Sequence, residues 1–187
     1  MFGVVGLGNP GSRYAFTPHN VGFMVCDLLS IFFSFYFRSD SAIRGLVGRF
    51  ELDGEDVLVL KPLTYMNASG VSVRAFVSHY GIQPDRLIVV HDDIDMPLGR
   101  IRIKKNSSSG GHRGVASVIE LLGTQDFIRV KLGIGRKGDD AAKYVLSEFD
   151  KEDLPIVREM VDKAREAVVD IMRNGLQHAM STYNKKA

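Results

Sequence analysis

The amino-acid sequence predicts an α/β fold: a single three-layer domain with a twisted mixed β-sheet flanked by helices. Strand-length apolar runs alternate along the chain with stretches of helical periodicity. The dipeptide Asp53-Gly54 lies between two such runs and predicts a hairpin over Phe50–Asp56, so at least one strand pair is antiparallel. The chain of 187 residues is long enough for one substantial core and contains no internal repeat or long linker.

The elements follow from local patterns taken in chain order. Six apolar runs bounded by turn residues predict strands at Phe2–Gly8, Leu46–Leu52, Val57–Lys61, Leu87–His91, Arg100–Lys104 and Phe127–Ile134. Five stretches with apolar residues three or four positions apart predict helices at Asn20–Phe35, Ser69–Tyr80, Gly111–Leu122, Lys151–Arg173 and about Leu176–Asn184. We expect one domain over residues 1–187, on which the helices of about residues 151–184 pack.

Composition and cysteine content indicate an ordinary globular protein of a reducing compartment. Apolar residues make up 45% and charged residues 25% of the chain, and Cys26 is the only cysteine. The most apolar run, Val21–Phe37, is interrupted by Asp27 and is shorter than the ~20 residues that a membrane span needs. No basic segment precedes an apolar stretch at the start. We therefore expect a cytoplasmic protein without membrane contact; the aromatic tail Phe32–Phe37 is interpreted as core, with a partner surface as the alternative.

Positive charge is concentrated in one segment. Arg100–Lys137 contains nine Lys or Arg and two acidic residues, a net charge of +7; the whole chain carries +2, so the remainder carries −5. On the two strands of this segment basic and apolar side chains alternate, so each strand has one basic face. Such a face is either merely solvated or contacts a polyanion.

The stretch GLGNPG (Gly6–Gly11) matches the glycine template of a dinucleotide-binding turn. That fold also needs an acidic residue roughly 20 positions later, where this chain has the apolar Ile31–Phe37. Pro10 removes one backbone donor from the turn. We therefore expect the glycines to provide positive φ or close backbone approach, and the turn to present Asn9.

Polar residues follow three of the predicted strands. Asn9, Asn67 and Asp92 each come after a strand, where the loops of an open α/β sheet line a ligand crevice. Single residues have simpler interpretations, such as Asn20 capping the first helix. A metal site at His91–Asp95 is a further alternative, but no cluster of His or Cys accompanies it. No G-x-S-x-G elbow is present, and Cys26 lies in an apolar helix, which disfavours nucleophilic catalysis.

Several longer strings occur in order over about residues 3–149: GLGNPGSRYAFTPHNVGF, LKPLTYMNASG, HDDIDMPLG, GGHRGVASVIELLGT, RVKLGIGR and YVLSEF. Together they resemble bacterial peptidyl-tRNA hydrolases. The resemblance implies hydrolysis of the ester between a peptide and the 3′ ribose of tRNA, by a cytoplasmic monomer without cofactor or metal. A second possibility is an RNA-binding protein on the same scaffold that lacks turnover.

The resemblance also implies residue roles. His19 is the catalytic base and Asp92 its partner. The residues implied to contact substrate are Asn9, Tyr14, Met66, Asn67, His112 and Arg113. The residues implied to contact the acceptor arm of tRNA are Arg100, Arg102, Lys104, Lys105, Arg129, Lys131 and Arg136. The segment Lys143–Lys151 is implied to form a lid.

Two positions depart from the family pattern. Arg113 stands where the family usually has Asn, and arginine offers donors but no acceptor. Such a side chain can contact a phosphate or a carbonyl but cannot copy every amide contact. The preceding loop, Asn106–Ser109, is poorer in glycine than is usual, which affects how it closes over a peptide. His112 is interpreted either as a helix-start residue or as a cleft residue.

Overall fold

The chain is organised around one seven-stranded sheet. We describe residues 1–185 of a computed structural model. The strands are β1 (Phe2–Gly6), β2 (Arg38–Asp40), β3 (Gly45–Leu52), β4 (Glu55–Pro62), β5 (Leu87–Asp93), β6 (Ile101–Lys105) and β7 (Ile128–Gly133). Their order is β2-β3-β4-β1-β5-β7-β6. Strands β4, β1, β5 and β7 are parallel, whereas β2, β3 and β6 each pair antiparallel, so the predicted mixed sheet is confirmed.

Helices cover both faces of this sheet. They are α1 (Val21–Phe33), α2 (Ser69–Tyr80), α3 (Arg113–Leu122), α4 (Ala141–Val145), α5 (Leu154–Asn174) and α6 (Leu176–Tyr183). One core lies between the sheet and α1, α5 and α6, and a second lies between the sheet and α2 and α3. The three predicted layers are therefore present. None of the helices within residues 1–185 has the length and apolar character to cross a bilayer.

Two short elements lie outside the sequence predictions. The edge strand β2 has three residues and is held by its pairing with β3, a tertiary contact that local sequence does not encode. Helix α4 has five residues, too few for a periodic pattern. The predicted hairpin is present: Leu52 lies opposite Glu55, and Asp53 and Gly54 both have positive φ (50° and 83°), as a two-residue turn with the twist of the strands requires.

The aromatic tail after α1 divides between core and surface. Phe35 is buried, and the ring of Phe33 stacks on Phe50 with 4.2 Å between ring centroids. Phe32 and Tyr36 instead remain 62% and 89% exposed. The interpretation as core thus holds for only part of the tail, because α1 ends at Phe33 and the chain turns at Ser34, which has a φ of 55°.

The glycines of GLGNPG and of the following helix allow close packing. A Cβ on Gly22 would lie 2.5 Å from the carbonyl oxygen of Val90, and one on Gly6 would lie 2.2 Å from that of Gly22. The start of α1 therefore sits directly against the ends of β1 and β5. The strand after α1 is the antiparallel edge strand β2, not a parallel neighbour of β1, so the βαβ unit of a dinucleotide site is absent from the described residues.

Candidate active site

A cleft of about 640 Å³ opens at the carboxyl edge of the parallel strands. Strands β1, β4 and β5 all point their carboxyl ends toward this edge. The cleft brings together most of the residues predicted to serve substrate and catalysis: Asn9, His19, Met66, Asn67, Asp92, His112 and Arg113. Its wall also includes Tyr65, Val145 and Leu146, which lie in the strings LKPLTYMNASG and YVLSEF but were given no individual role.

Asn9 is held at the floor of the cleft by three hydrogen bonds. Its backbone N–H donates to Oδ1 of Asn20 (2.9 Å), and Nδ2 of Asn20 donates to the Asn9 carbonyl (2.9 Å). Oδ1 of Asn9 accepts from the backbone N–H of Met66 (2.8 Å). This last bond leaves the amide Nδ2 of Asn9 as the group available to a ligand. Asn20 makes no side-chain cap on α1, so its interpretation as a helix cap is wrong.

His19 pairs with Asp92 at the centre of the cleft. The imidazole lies in the 3-10 turn Pro18–Asn20, and Asp92 lies near the end of β5. Nδ1 of His19 is 2.9 Å from each carboxylate oxygen of Asp92. Because the carboxylate accepts the Nδ1 proton, the other ring nitrogen, Nε2, carries the lone pair of the neutral ring. The His19 side chain is 13% exposed and lines the cleft.

His112, at the start of α3, contacts the same carboxylate. Its Nε2 lies 2.8 Å from Oδ1 of Asp92, and its Nδ1 accepts the backbone N–H of Val115 (3.1 Å), which caps α3. The cap fixes the neutral tautomer with the proton on Nε2. Both interpretations of His112, helix start and cleft residue, describe real contacts.

Two buried titratable groups have strongly shifted pKa values. Burial opposes ionisation of Asp92, but its electrostatic interactions and hydrogen bonds with the imidazoles of His112 and His19 outweigh burial, and the pKa of Asp92 lies well below its usual range. His91 is fully buried, and burial together with the nearby His112 lowers its pKa to about 3. Asp92 is therefore an anion and His91 a neutral ring at physiological pH.

The acidic run after β5 is engaged in ion pairs. Asp93 binds Nζ of Lys131 at 2.7 Å, and Asp95 binds the guanidinium of Arg136 at 3.0 Å. The ligand atoms of His19, Asp92 and His112 do lie within 4.8 Å of one another. A metal on Nε2 of His112 would have to displace the proton held there by the cap, whereas metal-bound histidines keep a proton on their other nitrogen. The geometry therefore favours hydrogen bonds over metal ligation at this cluster.

The predicted basic surface is present on one face of β6 and β7, with one exception. Arg102 lies opposite Lys131 and Lys104 opposite Arg129, so the four share a face. Arg129, however, is only 1% exposed: it donates to the carbonyls of Ser108 and Gln125 (both 2.8 Å). The expectation of a solvent-facing Arg129 is wrong, because the loop after β6 folds over it. Burial lowers its pKa to about 10.

Tyr14 and the expected lid are placed differently from the sequence prediction. Tyr14 does not line the cleft; its ring packs near Arg13, and its carbonyl accepts the Thr17 hydroxyl (2.7 Å). Of the expected lid, α4 and Leu146 line the cleft. Phe149, by contrast, is buried and donates its backbone N–H to the Phe16 carbonyl (3.0 Å).

The fold and the site define a class of protein: a three-layer α/β protein whose cleft places a histidine–aspartate pair near a basic strand face. The chain belongs to the peptidyl-tRNA hydrolase family, whose model matches residues 3–187. It is 46% identical over 188 residues to the peptidyl-tRNA hydrolase of Thermodesulfovibrio yellowstonii, covering 99% of this chain and 100% of that relative.

Other relatives agree with this assignment. The peptidyl-tRNA hydrolase of Desulfitobacterium hafniense is 46% identical over 184 residues, 97% of this chain and 98% of that one. The crystal structure of peptidyl-tRNA hydrolase from Acinetobacter baumannii is 34% identical and has a TM-score of 0.93, covering 98% of this chain and 94% of that one. The resemblance stated from the sequence motifs is confirmed.

Proposed function

We propose that this chain hydrolyses the ester between the peptide and the tRNA 3′ ribose of peptidyl-tRNA, with His19 as general base. The observation that carries the proposal is the His19–Asp92 pair, with Nδ1 2.9 Å from both carboxylate oxygens. The pair leaves Nε2 as the acceptor of a proton from water. Asp92 favours the imidazolium that forms, because it is a buried anion in direct contact.

Asn9 is proposed to stabilise the oxyanion of the tetrahedral intermediate. Its Oδ1 is occupied by the backbone N–H of Met66, so its Nδ2 donates toward the cleft. Asn67 lines the same cleft and makes no side-chain hydrogen bond among residues 1–185, which leaves its amide available to substrate. Met66, His112 and Arg113 complete the proposed contacts to the peptide side. Tyr14 is retained as a proposed contact only through the motif.

The assay that tests this function measures free tRNA released from a peptidyl-tRNA with a blocked amino terminus. We expect multiple turnovers without added metal or cofactor. Tight binding of the substrate without release would instead support an RNA-binding protein that lacks turnover.

We further propose that the protein acts as a monomer in the cytoplasm. Cys26 is the one cysteine of the chain, so no intrachain disulfide can form, which fits a reducing compartment. It is buried, and burial raises its pKa to about 12.

The acceptor arm is proposed to lie on the basic face of β6 and β7. Repulsion from Lys131, with burial and Arg102 as further causes, lowers the pKa of Lys104, which indicates that cations are crowded on this face. Such a surface binds phosphates without reading sequence. The proposed set comprises Arg100, Arg102, Lys104, Lys131 and Arg136. Lys105, which lies opposite Ile128 and so on the other face of β6, is retained only through the motif. Arg129 is left out because it is buried.

Salt dependence tests this surface. Raising the salt from 50 to 200 mM should raise KM by about 10³-fold if all of the proposed cations contact phosphates, while kcat changes little, because phosphate contacts release counterions. The double variant Arg102→Gln/Lys104→Gln should reduce the slope of log KM against log salt by about 2. Lys163→Gln, an exposed position on α5 at the opposite face of the sheet, serves as the control. An unchanged slope in the double variant would place the tRNA elsewhere.

A further inference from the structure

The charges lining the cleft are almost all matched by a partner. Asp92 bonds His19 and His112, Asp93 binds Lys131, and Asp95 binds Arg136. The positive charges of Lys131 and Arg136 are therefore neutralised by neighbouring acids. The remaining cation of the cleft lining is Arg113.

Arg113 carries an uncompensated positive charge into the cleft. It is the first residue of α3, is exposed, and has no ion-pair partner among residues 1–185. The first turn of α3 contains no acidic residue either. A cation at this end of a helix is unfavourable because the helix dipole is positive there. An anion supplied by the ligand would relieve that repulsion.

Arg113 lies near the apolar side of the cleft. The next residue, Gly114, packs against Met66: a Cβ on Gly114 would lie 2.4 Å from the Met66 sulfur. Arg113 thus stands beside the wall formed by Tyr65 and Met66. Of the cations proposed to contact phosphate, Lys131 and Arg136 also line the cleft, but each is paired with an acid. Within the described part of the chain, Arg113 is not paired in this way and lies near the apolar side chain of Met66.

We propose that Arg113 pairs with a carboxylate of the bound peptide, so that this chain favours peptidyl-tRNAs with Asp or Glu in the residues next to the ester. The inference rests on the proposed function and names the substrate class of the same cleft. A guanidinium presents two parallel N–H donors to a carboxylate, a geometry that a neutral amide side chain of the peptide cannot match. Because Arg113 is exposed, the preference should be modest, about threefold in kcat/KM.

The test compares matched substrates on one tRNA. Acetylated dipeptidyl-tRNAs carrying Asp or Asn, and Glu or Gln, at the residue next to the ester differ in charge but hardly in shape. We expect the acidic member of each pair to have a kcat/KM about threefold higher, and Arg113→Gln to abolish this ratio. Arg113→Glu should invert the ratio. Arg38→Gln, which removes an exposed arginine on the edge strand β2, controls for net charge.

The outcomes separate the two proposals. Hydrolysis of the neutral substrates tests the proposed function, because it does not depend on the ion pair. Normal hydrolysis with equal rates on acidic and neutral substrates would overturn the inference alone. An equal loss on all four substrates in Arg113→Gln would also overturn it, because Arg113 would then bind a group common to them, a phosphate or a backbone carbonyl.

Discussion

Two segments of the chain each bring a histidine to Asp92, and they hold it differently. His19 lies in a loop fastened by the Asn9–Asn20 pair, and only its Nδ1 is hydrogen-bonded among residues 1–185. His112 begins α3 and has both ring nitrogens bonded, one to Asp92 and one to the backbone N–H of Val115. The first ring is therefore free to take up a proton, whereas the second is a fixed donor. One carboxylate thus supports two imidazoles with different tasks.

Removing the free ring should have the largest effect. His19→Ala deletes the proposed base, so we expect kcat to fall about 10³- to 10⁴-fold. Affinity for the substrate should stay within a fewfold of the parent, because the basic face is untouched. Single-turnover release of tRNA gives the rate and a filter-binding titration gives the affinity. A variant that retains a tenth of the parent rate would exclude His19 as the base.

Replacing the shared carboxylate should rank next. Asp92→Asn keeps the shape but offers one acceptor oxygen where two histidines now donate, so His19 loses the partner that fixes its tautomer. We expect kcat to fall about 10²- to 10³-fold. A rate near that of the parent would show that the orientation of His19 does not depend on Asp92.

A third histidine extends the comparison: His91 is buried, and its pKa is lowered so far that the ring is neutral at physiological pH. Its Nδ1 bonds the Asp92 carbonyl (2.8 Å), and its Nε2 has no partner in the described structure. The folded-state pKa of about 3 lies below the unfolded value of about 6.5, so the unfolded state binds the proton first as the pH falls. The stability that the neutral ring contributes is complete above pH ~6.5 and is lost progressively down to pH ~3.

The variant His91→Asn should remove this part of the acid lability. Between pH 7 and pH 5, the loss in the free energy of unfolding should be smaller than in the parent by about 2 kcal/mol. Asparagine retains a donor for the Asp92 carbonyl, which limits other changes. Urea titrations at the two pH values give the comparison, with the exposed His79→Asn as control. If the unfolding free energy fell by the same amount between pH 7 and pH 5 in His91→Asn as in the parent, His91 would be shown to ionise in the folded protein.

The comparison also separates what the sequence can predict from what it cannot. Asn9 and Asp92 were predicted to converge because both follow strands, and strand ends of one sheet meet at one edge. The shared contact of His112 was not predictable, since its distance to Asp92 depends on how α3 packs on β5. The alternation of basic and apolar residues places Arg129 on the correct face of β7. It does not predict which part of the chain covers that face. The cover is a loop whose path is set by tertiary contacts.

The smallest effect should come from the fixed donor, His112, and it can be divided into two parts. His112→Asn keeps an oxygen that can cap α3 but is too short to donate to Asp92, whereas His112→Ala loses both contacts. We expect both variants to lower kcat by a similar factor, about fivefold, because each leaves Asp92 with one donor in place of two. Because it also loses the cap, His112→Ala should have about 1 kcal/mol less unfolding free energy than His112→Asn. If His112→Asn were as active as the parent and His112→Ala were not, His112 would matter only as a cap, and the tautomer held at Asp92 would have no part in the rate.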